Sequence, residues 1–68
     1  MSAVSFKIQF KDPEKAKTFV KVATVSLQVA CLRDDIVVYV IASNDDDHQK
    51  ALVIAARFDP SDLVLYPT

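Results

Sequence analysis

The sequence predicts an α+β sandwich with the element order β-α-β-β-α-β, in which an antiparallel sheet carries two helices on one face. Three observations lead there. Residues 4–11 (VSFKIQFK) alternate strictly between apolar and polar, the period of a strand buried on one side only. Two stretches, Asp12-Pro13-Glu14 and Asn44-Asp45-Asp46-Asp47, have the composition of capped helix starts, and each follows a strand pattern. Between them, residues 36–43 (IVVYVIAS) are apolar on both faces, as expected of a central strand.

Taken in order, the first strand directs Val4, Phe6, Ile8 and Phe10 to the core and Ser5, Lys7, Gln9 and Lys11 away from it. Asp12 offers a cap to free N–H groups, Pro13 suits the first helical position, and Glu14 complements the positive end of the helix dipole. The helix that follows buries a stripe of Ala16, Phe19, Val20 and Ala23. It is expected to fail within residues 23–26, where β-branched side chains gather. Residues 26–32 (SLQVACL) then alternate as a second strand, with Leu27, Val29 and Cys31 inward. Arg33-Asp34-Asp35 supplies a tight turn, because aspartate tolerates left-handed backbone angles and the chain has no glycine. After the third strand, Asn44 caps a second helix that ends near Phe58, since Pro60 disfavours helical angles at Asp59. Residues 63–66 (LVLY) form a short last strand.

Two right-handed crossovers interleaved in this order place the first and third strands at the centre of the sheet. The arrangement resembles the ferredoxin-like fold, in which the outer face of the sheet is left open.

Sixty-eight residues make a single domain spanning 1–68, near the lower limit for an independent core. The one cysteine allows no intrachain disulfide, and no Cys/His cluster has zinc-site spacing. Apolar residues make up 51% of the chain, which is enough for a core and leaves a surplus for self-association. The formal charge of −1 does not suit a strongly basic nucleic-acid binder or an acidic mimic of DNA. Charge is nonetheless uneven. Five lysines up to Lys21 face Asp12 and Glu14, for +3, whereas Arg33, Lys50 and Arg57 face seven aspartates beyond it, for −4. No apolar run is long enough to span a membrane, and the alternating N-terminus does not read as a signal peptide. With a free thiol, this points to the cytoplasm.

The stretch SNDDDHQK at 43–50 invites a metal or acid–base reading. On a helix its three carboxylates are about 100° apart and diverge. A calcium loop counted from Asp45 would need glycine and glutamate where Lys50 and Ala56 stand. The expectation is therefore a helix start, with His48 at the core edge beside Ala51, Leu52 and Ala55 and no metal or other cofactor. Cys31 reads as a buried apolar residue. No CxxC, serine elbow or phosphate loop is present, and an enzyme is not expected. Residues 37–52 (VVYVIASNDDDHQKAL) resemble the phosphocarrier HPr, but Lys11-Asp12-Pro13 stands where that family's active histidine precedes the first helix.

The open face of the sheet is the candidate site. It is expected to present Lys7, Gln9 and Lys11, then Ser26, Gln28 and Ala30, then Val37, Tyr39 and Ile41. An apolar stripe with one aromatic and flanking lysines suits a protein contact, as a homodimer or with a larger partner. Tyr39 would be its anchor, with Lys7, Gln9, Val37 and Ile41 around it; an edge strand is a second route to pairing. Single-stranded RNA or DNA is an alternative, with Tyr39 stacking a base while Lys7 and Lys11 meet phosphates. The fold resembles the RNA-recognition motif in topology, but that family's third-strand signature has glycine and two or three aromatics, whereas residues 36–43 (IVVYVIAS) supply one tyrosine and no glycine. Amino-acid-sensing regulatory domains share the topology as well, which makes small-ligand sensing a further alternative, although their glycine-rich ligand loops have no counterpart here. Val37 and Ile41 could instead be covered by residues 63–66.

Overall fold

The computed structural model describes residues 5–65, so the roles expected for Val4 and Tyr66 lie outside the described residues. The elements are β1 (Phe6–Gln9), α1 (Pro13–Ser26), β2 (Val29–Asp34), β3 (Val37–Ala42), α2 (Asp45–Ala56) and β4 (Asp62–Leu65). The sheet runs β2-β3-β1-β4, and every neighbouring pair is antiparallel. This is the strand order of the ferredoxin-like sandwich, with β1 and β3 central.

Alternation decides which side of each strand is buried. In register, Phe6 lies opposite Val40 and Ile8 opposite Val38, and all four are fully buried. Ala16, Phe19 and Ala23 of α1 and Ala51 and Ala55 of α2 close over them. Here α1 packs on β2 and β3, α2 packs on β3, and the two helices touch each other. Phe10, just past β1, meets Phe19 at 5.3 Å between ring centroids and Phe58 at 6.3 Å. Three rings from three parts of the chain thus meet at one end of the core.

Both helix starts form as the sequence implies. The Asp12 carboxylate accepts the Lys15 N–H at 3.0 Å, and the Asn44 side-chain oxygen accepts that of Asp47 at 2.8 Å. Elsewhere the boundaries shift. Helix α1 continues through Ser26, since the β-branched Val22 and Val25 cost only tenths of a kcal/mol each and Thr24 bonds back to the Val20 carbonyl. Strand β2 therefore begins at Val29 and runs on through Arg33 and Asp34. The turn contracts to Asp35 and Ile36, where Asp35 takes φ 57° and the Arg33 guanidinium donates to its carbonyl. Helix α2 closes at Ala56, two residues before Phe58. Asp59 takes φ 53° ahead of Pro60, so among the described residues aspartate occupies both left-handed positions in a chain without glycine.

Ser5 departs from simple alternation. It was expected to point outward, yet it is only 5% exposed, and its hydroxyl accepts the Ala42 N–H at 3.1 Å.

Truncating Phe19 removes the ring shared by Phe10 and Phe58, at a cost of about 3–5 kcal/mol. A core this small supplies about that much in total. Phe19→Ala is therefore expected to be unfolded at 25 °C by circular dichroism. Asn44→Ala, which loses one cap worth about 1 kcal/mol, should stay folded with a lower urea midpoint.

Candidate interaction surface

The strand register builds the face opposite the helices row by row. Leu32, Tyr39, Lys7 and Val64 form one row across the four strands. Asp34, Val37, Gln9 and Asp62 form the next. On the other side of the Tyr39 row, Ala30 lies beside Ile41. The structure thus brings Lys7, Gln9, Val37, Tyr39 and Ile41 together on one face, each partly exposed. No described helix or loop lies over them.

The second strand contributes differently from expectation. Ser26 belongs to α1, and Gln28 precedes β2 with its N–H directed to the Asp47 carboxylate at 3.3 Å. In their place β2 presents Ala30, Leu32 and Asp34. Leu32 is 67% exposed, the most open large apolar side chain on this face. Alternation with Leu27, Val29 and Cys31 inward already turns Leu32 outward, although it was not counted on the face; Asp34 was hidden because the expected turn at 33–35 begins two residues before the observed turn at Asp35 and Ile36. Val64 of β4 was missed too.

Residues 63–65 do not cover Val37 and Ile41. Strand β4 lies in the plane of the sheet, hydrogen-bonded beside β1. On its helix side Leu63 and Leu65 remain 43% and 57% exposed, because the helices reach β3 and β2 more than this edge.

Charge on the face is sparse. Lys11, the second cation of the nucleic-acid alternative, is drawn off β1 to Asp59, with Nζ 2.8 Å from its carboxylate. The hydrogen bond from Lys11 and its charge hold the Asp59 carboxyl below its ordinary pKa. Lys7 then stands alone as a cation among the described strand residues of the open face, which it shares with Asp34 and Asp62 in the neighbouring row.

The acidic start of α2 spreads its three carboxylates. Asp46 pairs with Lys50 at 3.0 Å, and the hydrogen bond and charge of Asp46 raise the Lys50 pKa. Asp47 accepts from Gln28 and Asn44, while Asp45 is exposed. Among the described residues no three His, Cys, Asp or Glu side chains are grouped to hold a metal. His48 sits edge-on to Phe6, with centroids 5.6 Å apart, as a packed ring at the core margin. A shallow hollow of about 300 Å³, lined by Gln49, Lys50, Val53, Ile54 and Arg57 of α2, opens to solvent. Among the described residues no helix is long and apolar enough to cross a membrane.

Comparison of the chain with protein-family models, with curated proteins and with solved structures finds no match.

Cys31 faces the helices, and burial pushes its thiol from 9.0 up to about 11. Folding therefore favours the protonated thiol. Its contribution is complete below pH 9 and is lost as pH rises from 9 towards 11. Two pKa units correspond to roughly a hundredfold in thiolate at pH 8. Cys31 should accordingly react with a thiol reagent on the order of a hundredfold more slowly in the folded protein than in urea. Equal rates would mean that the thiol is not desolvated.

Proposed function

We propose that the chain is a small non-enzymatic interaction module that associates with a second copy of itself through the open sheet face. One observation carries this reading: Leu32, Tyr39 and Val64 in one row, with Val37 and Ile41 beside them, form an apolar surface that no described element covers. Uncovered apolar rows on so small a chain mark a surface that a partner removes from water. Four strands spaced about 4.8 Å apart give a face roughly 19 Å wide. Two such faces bury an area at the low end for specific complexes, which suits a concentration-dependent, regulatory association better than a permanent one.

The absence of catalysis in this reading is supported by what the reactive groups do. Cys31 is held as the neutral thiol, His48 packs against Phe6, and Asp46 and Asp47 of α2 are engaged by separate partners. A cytoplasmic setting agrees with the free thiol. Single-stranded nucleic acid is the weaker alternative, because Lys11 is engaged by Asp59 and two acids share the face with Lys7. Small-ligand sensing is weaker as well, because the hollow on α2 is open to solvent and lies apart from the sheet face.

Solution mass by light scattering over a wide concentration range tests the proposal. The expected result is a reversible shift from one chain mass to two. Tyr39→Ala should weaken the dimer about tenfold, the scale of a moderate anchor residue. Ile41→Asp should abolish the dimer while the monomer keeps its circular dichroism spectrum. A monomer at every concentration overturns the reading, and unfolding by Ile41→Asp would assign that residue to the core instead.

A further inference from the structure

The open face carries two charges whose placement is self-complementary, and this bears on how a second copy would sit; the inference rests on the proposed self-association. Lys7 lies in β1 opposite Tyr39, and Asp34 lies in β2 opposite Val37. They stand on the same face, with β3 between their strands. Two strand spacings and one two-residue step put them about 12 Å apart, too far to pair within one chain. The ion pairs among the described residues are Lys11–Asp59 and Lys50–Asp46, which leaves both Lys7 and Asp34 without one. Asp34 also accepts no side-chain hydrogen bond among the described residues, whereas Asp12, Asp59 and Asp62 each accept one and Asp47 accepts two.

We infer that two copies dock face to face about a two-fold axis passing midway between Lys7 and Asp34, so that each Lys7 meets the partner's Asp34. A two-fold makes any such contact twice, so one dimer holds two reciprocal pairs. The axis crosses β3 between Tyr39 and Val37, the residues opposite Lys7 and Asp34. Tyr39 therefore lies beside the axis and packs over the partner's Leu32 and Tyr39, while Leu32 falls between the partner's Tyr39 and Ile41. The charges then flank the apolar contact diagonally and set its register, the role that charge pairs perform best at interfaces.

The other acid on the face does not serve. Asp62 is only one strand from Lys7, and a two-fold through that pair runs near the β1–β4 margin. It would swing Tyr39 beyond the edge of the partner sheet and leave Leu32 in water. The chemistry thus selects Asp34 and a second copy of this chain.

Charge exchange tests the geometry. Lys7→Glu and Asp34→Lys, each alone, place like charges together twice per dimer and should each raise the dimer dissociation constant at least about tenfold. Mixing the two variants should restore a dimer as a heterodimer. The double variant K7E/D34K should dimerise by itself, which guards against loss through misfolding. Asp62→Lys should dimerise like the wild type. Sedimentation equilibrium at low salt reads every arm. A wild-type dimer that the single exchanges do not weaken, or a mixture that stays monomeric, overturns this docking while leaving self-association standing. A monomeric wild type removes the proposed function itself, and capture of a different protein or of single-stranded RNA by the same face would overturn the choice of a second copy.

Discussion

The structure depends on packing phenylalanine rings beneath two helices that approach the sheet through alanine. Phe10, Phe19 and Phe58 lie within 5.3–6.3 Å of one another and tie the end of β1 to the middle of α1 and the segment after α2. Ala16, Ala23, Ala51 and Ala55 are all buried, and their small side chains let the helix axes come close enough for those rings to fill the space. Without a disulfide or an evident metal-binding group, this volume must supply most of the apolar burial that offsets chain entropy. Both helices are consumed in covering one side, so the described chain has nothing left for a third layer.

The same economy explains how the aspartates are used. A glycine-free chain needs another residue for left-handed backbone, and Asp35 and Asp59 take those two positions. Asp12 caps α1, while Asp45, Asp46 and Asp47 form the first turn of α2, where the helix dipole favours negative charge. Asp62 accepts a backbone N–H from Leu63. Asp34, the last residue of β2, stands just before the turn at Asp35 and Ile36, a position that favours aspartate, and it also lies on the open face opposite Val37.

How much of this was legible follows from which signals are local. The strict alternation of residues 4–11 and the chemistry of Asp12-Pro13 and Asn44 are complete within a few residues, and they placed β1 and both helix starts correctly. The doubly apolar run at 36–43 indicated a central strand, and β3 is one. The end of α1 was misread because β-branched residues lower helix propensity only slightly, and burial of Ala23 against the sheet outweighs that preference. That error moved β2 by about three residues and with it the make-up of the open face. Asp34 became visible only once the β2–β3 register was known, since register depends on the turn and the turn on a single left-handed aspartate, whereas Leu32 was already outward by the alternation of residues 26–32. The five residues expected to share the face did not depend on β2, and they do share it.

The sheet offers two ways to recruit another chain, through its edges or through its face, and the edges are guarded. At β4 the Asp62 carboxylate takes up the Leu63 N–H at 2.9 Å, so a donor of this edge strand already has a partner and carries negative charge beside it. At the other edge β2 ends in Arg33 and Asp34, with Arg33 folded back onto the turn. Charge is one of the devices by which edge strands resist adding a neighbour. The face is guarded less: Leu32, Tyr39, Ile41 and Val64 are interrupted by Lys7, with Asp34 and Asp62 in the neighbouring row. Under the proposed self-association, this arrangement argues for packing of sheet on sheet over extension of the sheet.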